Sequence, residues 1–565
     1  GEVTQKWYMY QPLIKFHPYP AIITQVLNIS VSEGRGESYL SPDSQEFDEE
    51  DDITKKGSLA KTDNRDVSWS GTLNVAYNKL TDNNSLISVI AGTEIRKEKS
   101  ESSELKVVGF YNDELNFVGH ATGYPTGQPS GSQDLSSEVG FFANANYMYN
   151  NRYYADFVYR LSGSSKFGAN ERFGQFWSGG LGWNLHNENF LQSDILNLLK
   201  VRGSAGYTGN VNFEPFQSVT MYQYDNTLEY LHGIGAVPRT IGNDDLKWER
   251  EFSYNIGADL SLFDQRFNAT FDYYLKRTKD LVLDASIAPS TGVISGKQNI
   301  GEMENKGFEF SIDGMPIRNK DFWWQVAMTG STNKNRILKI SNALKRQNEE
   351  NNNQKPSSDT PAPLAQYEVG ESTTAIKVVR SAGIDPATGN EVYIKLDGSR
   401  TFEYSVDDKV VVGDTEPKFQ GTVSTNLYYK GFSLYLLGTF KCGGYVYNTT
   451  RATRVEGTSG KTNVDHRAFN DRWQEVGDIA LYRRITDHTI ANYTDRFVEK
   501  ENVFTLTSVN LGYEFPATIC KKLMVRNLRL GVNLTDILRF SSVKIERGTT
   551  YLYGNGFEFT LSTTF

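Results

Sequence analysis

The acidic stretch DSQEFDEEDD, residues 43–52, is a dense group of side chains that could do chemistry. Its Asp and Glu carboxylates are the hard oxygen ligands that Ca²⁺ prefers, and through divalent cations they could also bridge to lipopolysaccharide. The stretch lacks the ordered D-x-[DN]-x-[DN]-G spacing of a calcium-binding loop. We therefore interpret it as a solvated acidic loop and assign it no metal site.

The histidines, cysteines and glycines form no catalytic or cofactor-binding motif. The 6 histidines are scattered, and none has HExxH or another metal-ligand spacing. The glycine-rich stretch at 119–131 does not follow a strand and open a helix, as a nucleotide-binding loop would. Cys442 and Cys520 have no CxxC partner. We therefore expect no enzyme activity, no catalytic residue and no cofactor.

Aromatic side chains are the remaining candidates, and their chemistry would be binding. An exposed ring offers an apolar face to sugars and to peptide side chains alike. The alternative for any one of them is that it packs loops together or contacts a partner protein. The candidate substrate-facing residues are Phe110, Tyr111, Tyr207, Tyr222, Tyr224, Tyr230, Trp473 and Tyr482.

The composition favours a β-protein. Aromatic residues make up 13% of the 565 residues, with 32 Tyr and 32 Phe, and rings fit a pleated surface well. Mean hydropathy is −0.50, and no apolar run reaches the roughly 18 residues of a transmembrane helix. A β-barrel wall, however, alternates apolar and polar residues and keeps a low mean hydropathy. The net charge of −9, without a basic cluster, makes nucleic acid an unexpected partner.

Alternation of apolar and polar residues is the dominant pattern along the chain. The segments RFNATFDYYL, NIGADLSLF and NLRLGVNL each place apolar side chains on every second residue, which is typical of half-buried strands. Short links between strands, such as those at 150–151 and 429–431, alternate with long polar stretches, among them 207–245, 333–415 and 443–500. An outer-membrane barrel has this arrangement, with short periplasmic turns and long extracellular loops.

We therefore predict an all-β fold: about 16 or 17 strands of a transmembrane antiparallel β-barrel that occupies residues 1–565. The stretches 333–415 and 443–500 are its long extracellular loops. On this topology Cys442 and Cys520 lie at opposite ends of a membrane band about 25 Å tall. Bridged cysteines need Cα atoms within about 7 Å, so we expect both to be unbridged.

Five segments of the chain have a more specific pattern. They are LSGSSKFGANERFGQFWSGGLGWNL (161–185), LKVRGSAGYTGN (199–210), the segment 241–283 that begins IGNDDLKWER, NIGEMENKGFEFSI (299–312) and SAGIDPATGNEVYIKLDG (381–398). These segments resemble the SusC/RagA family of TonB-dependent outer-membrane transporters. The resemblance implies a barrel of about 22 strands in the bacterial outer membrane that imports large nutrients, oligosaccharides or peptides. It also implies a SusD-like lipoprotein as a lid, and a plug that the TonB system remodels.

The resemblance covers the barrel and not the plug. About five or six strands of the family's barrel are missing from our count, and open sheet edges are not tolerated in hydrocarbon. We therefore expect a second chain or segment to supply the plug and the first strands, and the TonB system to act through that part. Lipid and lipopolysaccharide are the other expected partners.

The last ten residues, GFEFTLSTTF, have the pattern of a closing barrel strand. Phe557, Phe559, Leu561 and Phe565 fall on one face, which we expect to point toward lipid. In the family that these motifs resemble, a terminal aromatic strand is the signal for the outer-membrane assembly machinery. We assign that role to these four residues.

Two other functions fit part of the sequence. The first is a passive porin or surface adhesin barrel without a plug, because the absence of a plug from these residues is what such a protein would show. A secreted soluble β-protein that binds glycans would share the aromatic richness, but it gives no reason for the alternation of short and long connections. Glycan and peptide importers of the family share the motifs, so the cargo stays open.

Overall fold

The computed structural model describes residues 2–10, 13–16, 21–81, 84–125, 129–230, 233–287, 289–293, 295–353, 362–458, 464–487, 489–544 and 554–564. They divide into two compact units. The first comprises 1–181, 206–250 and 280–299, and the second comprises 182–205, 251–279 and 300–565. Within the described residues, no helix has the length and apolar character needed to cross a membrane.

Strands dominate the described residues, and eighteen of them (β1–β9, β12–β15 and β20–β24) pair in the main sheet. In chain order the strands are β1 (Glu2–Tyr10), β2 (Leu13–Phe16), β3 (Ala21–Leu40), β4 (Ser58–Leu80), β5 (Ser85–Val108), β6 (Ser130–Tyr149), β7 (Tyr153–Ser164), β8 (Phe173–Asn184), β9 (Leu196–Asn210), β10 (Met221–Tyr230), β11 (Gly233–Thr240), β12 (Glu249–Leu262), β13 (Phe267–Ser286), β14 (Ser295–Arg318), β15 (Phe322–Lys339), β16 (Ala375–Ile384), β17 (Glu391–Ile394), β18 (Arg400–Thr401), β19 (Lys409–Asp414), β20 (Phe419–Tyr429), β21 (Phe432–Tyr447), β22 (Val498–Glu514), β23 (Asn527–Ser541) and β24 (Gly556–Thr564).

Helical structure in the described residues is confined to short connections. The α-helices are α1 (Asn342–Asn353), α2 (Arg467–Asn470) and α3 (Ala517–Lys522), and a π-helical turn spans Arg451–Glu456. Single 3₁₀ turns occur at Gln45–Phe47, Ile53–Lys55, Val118–His120, Leu185–Asn187, Pro289–Thr291, Val406–Asp408 and Asp495–Phe497. The acidic stretch 43–52 lies across the first two of these turns, where Ser44 and Asp52 cap the ends.

The first unit contains an antiparallel ladder from β3 to β7. Strands β3 to β6 are 20, 23, 24 and 20 residues long. Strands β1 and β2 both pair with β3, along successive parts of it, so they fill one ladder position. The eighteen strands thus occupy seventeen positions, in agreement with the predicted 16 or 17.

The second unit contains the antiparallel ladder β14–β15–β20–β21–β22–β23–β24. Its turns are short where the sequence predicts short turns. Lys430 and Gly431 join β20 to β21 with φ values of 45° and 94°, the left-handed pair of a type I′ hairpin. In the first unit Asn150 and Asn151 make the same kind of turn, with φ values of 49° and 57°.

Phenylalanine rings on one face of the second unit lie over glycines of neighbouring strands. A Cβ on Gly330 would come within 2.5 Å of the Phe310 ring and 2.8 Å of the Phe419 ring. The Phe310 and Phe419 centroids are 6.1 Å apart, and Phe440 continues the series 5.2 Å from Phe419. The glycines are therefore required by close packing, because any larger residue would displace a ring.

The two long predicted loops are largely structured. Strand β15 extends to Lys339, and 375–414 contains the four-stranded sheet β16–β19. The second stretch begins inside β21 and ends inside β22. The strands exceed the predicted lengths because their polar ends continue to pair, in β21 and β22 beyond a register shift between Lys441 and Gly444. Cys442 on β21 is exposed and Cys520 on α3 is buried, each as a free thiol.

We expect Gly421→Ala to destabilise the protein by about 1–3 kcal/mol, because the new methyl group would overpack the sheet. Its Cβ would overlap the Thr329 carbonyl oxygen and lie 2.8 Å from the Phe440 ring. The measurement is the free energy of unfolding of the protein purified from the outer membrane in detergent. Gly314→Ala is the control, since its nearest neighbour would be an ordinary 3.8 Å away. Equal stability of the two variants would contradict the packing argument.

Candidate functional site

The described residues 375–414, 448–458, 464–487 and 489–497 of the two long connections in the second unit are here called the loop module. Strand β16 pairs with β17 on one side and β19 on the other. Val379 of β16 donates its N–H to the Tyr493 carbonyl (3.1 Å), which joins the two connections. A buried core of Ile376, Val378, Tyr493 and Phe497 lies beneath this junction. The module is therefore a packed structure and not a set of independent loops.

A buried ion network holds the module together. Arg496 donates to both carboxylate oxygens of Glu391, at 2.8 Å each. The same guanidinium lies 3.1 Å from Glu456 Oε1, and Arg483 Nε is 2.7 Å from that oxygen. The Glu456 side chain has no exposed surface. Each carboxylate is thus paired and hydrogen-bonded, which burial of a charge requires.

Arg472 adds a second kind of cross-link. Its guanidinium is buried and donates to backbone carbonyls of Ala468 (2.7 Å), Arg483 (2.9 Å), Val455 (2.6 Å) and Glu456 (3.0 Å). These acceptors belong to α2, to the extended segment that follows it and to the π-helical turn. One side chain therefore satisfies carbonyls that no strand or helix partner reaches.

The network stays ionised at neutral pH. Burial alone would raise the pKa of Glu456, but the Arg496 and Arg483 guanidiniums outweigh it and hold that pKa below its usual value. Burial and the nearby Glu391 carboxylate raise the pKa of Tyr393 to about 12, so this phenol stays neutral. Its oxygen accepts a hydrogen bond from Asn492 (2.9 Å). These groups are arranged for structural stability, and none is poised to exchange protons near pH 7.

Phe110 and Tyr482 are not exposed, so the expectation that they face substrate is wrong. Phe110 has no exposed surface and packs with Leu59 and Val107 in the first unit. Tyr482 is 2% exposed and packs with Val455 and Ala468 in the second unit. Sequence position within a connection did not reveal this burial, because Phe110 packs on Leu59 and Tyr482 packs on Val455, and both partners lie in other parts of the chain.

Trp473 and Tyr207 have structural contacts of their own. The Trp473 indole donates to the Pro386 carbonyl (2.9 Å), and its ring packs so closely on Gly389 that a Cβ there would lie 2.6 Å away. Tyr207 is on β9, which runs to Asn210, and not in the predicted loop. Its ring meets Trp177 edge to face, with centroids 6.0 Å apart. The loop boundary at 207 is corrected because the strand pattern continues through it.

Tyr111, Tyr222 and Tyr224 are the predicted rings that are exposed, at 64%, 68% and 77%. Tyr222 and Tyr224 lie two residues apart on β10, which forms a hairpin with β11, so they share one face. Tyr230 ends the same strand, but its side chain lies outside the described residues. The structure thus brings Tyr222 and Tyr224 together as one aromatic surface.

The ion network is the feature that sequence reasoning missed. Glu391 lies within the motif SAGIDPATGNEVYIKLDG, which was assigned to the scaffold, whereas Glu456, Arg472, Arg483 and Arg496 lie in a stretch without periodicity. In such a stretch, nothing in the local sequence distinguishes a buried Glu or Arg from an exposed one. In the described part of the chain, no three His, Cys, Asp or Glu side chains group in a way that could hold a metal ion.

The paired strands with alternating faces define the wall of an outer-membrane β-barrel. The model of the family "TonB dependent receptor-like, beta-barrel" matches residues 28–537, so the chain belongs to that family. Its location is the bacterial outer membrane. The SusC/RagA resemblance of the sequence motifs is confirmed by the relatives and by the solved structures.

The chain is 29% identical over 496 residues to TonB-dependent receptor P3 of Formosa agariphila, covering 83% of this chain and 48% of that protein. It is 27% identical over 388 residues to TonB-dependent receptor SusC of Bacteroides thetaiotaomicron, covering 67% of this chain and 38% of that protein. The fold is similar to that in the structure of the RagAB peptide transporter, with a TM-score of 0.81 and 22% identity over 96% of this chain and 59% of that one. The chain spans about half the length of the curated relatives it matches.

We expect Glu456→Gln to open the loop module, because two buried arginines would lose a charged partner. The cost should be roughly 3–5 kcal/mol, measured as the local opening free energy of residues 448–497 by hydrogen exchange. The matched control is Glu33→Gln, whose 3.5 Å pair with Arg65 is exposed and should be worth under about 1 kcal/mol. Equal protection in both variants would contradict a stabilising role for the network.

Acidification should weaken the same module. The folded-state pKa of Glu456 is below the ordinary 4.5, so its stabilisation is complete above pH 4.5 and is lost as pH falls through the folded pKa. Hydrogen-exchange protection of 448–497, corrected for the intrinsic rate, should be constant from about pH 7 to 5 and fall below about 4.5. Glu456→Gln should lack most of this dependence. Protection that falls between pH 7 and 5 would show that another group controls the module.

Proposed function

We propose that the protein forms most of the wall of a SusC/RagA-like TonB-dependent importer for large nutrients, either oligosaccharides or peptides. The observation that carries the proposal is the family match across residues 28–537. The fold similarity to the RagAB peptide transporter supports it. Neither relative fixes the cargo of this chain, and the proposed role needs no covalent chemistry.

The polar face of the wall supports a passage for hydrated cargo. On this face of the second unit, Arg202 of β9 is 3.2 Å from Asp259 of β12 and 2.7 Å from Asp272 of β13. It passes over Gly257, where a Cβ would lie 2.5 Å from the Asp272 carboxylate. Charges that are paired within the wall hold a large cargo less tightly than free charges would, which suits passage and not retention.

The extracellular surface supports a binding role upstream of the passage. We assign substrate contact to Tyr111, Tyr222 and Tyr224, since their rings are exposed. Aromatic faces suit both sugar rings and peptide side chains.

The proposed importer needs partners. A SusD-like surface lipoprotein would act as the lid, and the TonB system would act through a plug. The plug and the first barrel strands would come from a segment or chain other than residues 1–565, which span about half the length of the relatives. Intact mass of the purified complex distinguishes one longer polypeptide from two, and a closed barrel made of residues 1–565 alone would overturn this part.

The closing strand would direct assembly. Phe557, Phe559 and Leu561 lie on β24 opposite Leu534, Val532 and Leu530 of β23. All three are well exposed and share one face, as a lipid-facing strand requires. Phe565, the fourth residue of the proposed signal, lies outside the described residues.

Uptake by whole cells tests the proposed function. Deleting the coding region should abolish uptake of either labelled oligosaccharides or labelled peptides, and a protonophore should abolish it in the parent strain. Tyr222→Ala with Tyr224→Ala should lower uptake several-fold at limiting cargo, because an aromatic contact is worth about 1 kcal/mol. The readout is the initial uptake rate at equal surface abundance.

The control for the tyrosine variant is Tyr149→Ala with Tyr153→Ala, a stacked pair at a short turn with centroids 6.4 Å apart. It should leave uptake at limiting cargo unchanged. Uptake that persists in de-energised cells would favour a passive porin. No loss of uptake for any oligosaccharide or peptide after deletion would favour an adhesin.

A further inference from the structure

On one face of β4–β6 in the first unit, the side chains change from apolar to charged along the strands. Leu73 and Val75 of β4, Ile95 of β5 and Phe141 of β6 share one face and are exposed, as side chains that contact lipid should be. On β5 the same face continues, two residues beyond Ile95, with Lys97. The apolar band therefore ends between these two residues.

Cations follow directly above the band. Lys97 lies opposite Trp69, and Lys99 lies opposite Val67. Lys97 is exposed and has no ion pair within the described part of the chain. Tryptophan and lysine at the edge of an apolar band are typical of the membrane–water interface. This position corresponds to the polar layer of the outer leaflet.

Two rows of charged residues cross the strands above the lysines. Glu33, Arg65, Glu101 and Gln133 lie directly opposite one another on β3, β4, β5 and β6. In the next row Arg35 pairs with Asp63 at 3.0 Å, and their side chains are 84% and 63% exposed. Exposed pairs of this kind are worth at most about 1 kcal/mol. The guanidiniums can therefore exchange these partners for a ligand at little cost.

These rows line a hollow on the strands. The hollow has a volume of about 560 Å³ and is lined by Glu33, Arg35, Asp63, Arg65, Glu101 and Gln133, among others. Phe117 of the connection after β5 lies over the Lys61 ammonium, 5.4 Å from ring centroid to nitrogen. Along β4 the hollow therefore lies between Val67, which is opposite Lys99, and Lys61.

We propose that this hollow binds the phosphorylated saccharide headgroup of the outer-leaflet glycolipid, lipopolysaccharide. Arg65 lines the hollow and would contact phosphate, since a guanidinium can donate two parallel hydrogen bonds to it. Lys97 and Lys99 lie next to the hollow on the same face and would contact phosphate from its edge. Lys99 would exchange its present partner, the Glu101 carboxylate at 2.6 Å, for that phosphate. The Gln133 amide would donate hydrogen bonds to sugar hydroxyls and accept them, whereas the carboxylates would accept them or hold a bridging divalent cation. The acyl chains would lie against Ile95 and Phe141. The site is independent of the cargo and of the proposed import.

Binding of purified lipopolysaccharide to the detergent-solubilised complex tests the site. Lys97→Gln with Lys99→Gln should weaken binding about tenfold or more, because each cation near an anionic surface contributes about 1 kcal/mol. The matched control, Lys345→Gln with Lys395→Gln, removes two exposed lysines from the long connections and should not change the affinity.

Heat-dependent gel mobility of each variant verifies that it is folded. Arg65→Gln is a second, independent variant, and it should also reduce the affinity for lipopolysaccharide. An unchanged affinity in the folded Lys97/Lys99 variant would overturn the site. Equal affinity of the unaltered complex for phosphatidylglycerol vesicles would overturn the assignment to a glycolipid. Uptake of cargo should be unchanged in the Lys97/Lys99 variant at equal surface abundance, so failure here is distinct from failure of the import proposal.

Discussion

The structure depends on one constraint: a backbone that crosses hydrocarbon must satisfy all of its N–H and C=O groups within the protein. Long antiparallel strands with residue-by-residue register meet it, and β4 and β5 remain in register over the whole length of β4. The constraint also fixes the turns. Left-handed residues such as Lys430 and Gly431 allow a chain to reverse within two residues, so that pairing resumes at once between Tyr429 and Phe432. The period-two pattern of apolar side chains follows from the same geometry.

The same constraint places binding chemistry at the ends of the strands. One face of the wall contacts lipid and the other is polar, and the regular strands of the wall leave no irregular backbone that could enclose a site. The connections of the second unit contain irregular backbone and fold into the packed loop module. There, Arg472 and Arg496 replace sheet hydrogen bonds with guanidinium contacts to carbonyls and carboxylates. These contacts hold the described residues of the two connections in one packed arrangement.

Local pattern predicts the strands well and the connections poorly. The alternation in 267–275 and 527–534 predicts β13 and β23, and the short links at 150–151 and 429–431 predict turns that the structure has. Phe110 and Tyr482 are predicted to be exposed and are buried, because Leu59 and Val455, which cover them, come from other parts of the chain. The Glu456 network was not predicted for the same reason. Tyr222 and Tyr224 are exposed as predicted. They lie two residues apart on a hairpin strand, so their side chains are on the same face.

Conductance of the native complex in planar bilayers tests the central claim, that these strands are the wall of a plugged, energised importer. The account predicts a closed baseline without steady ion flow, since a plug would fill the lumen of a barrel of about 22 strands. A large, steady conductance of the intact complex would contradict it and would identify the protein as an open pore.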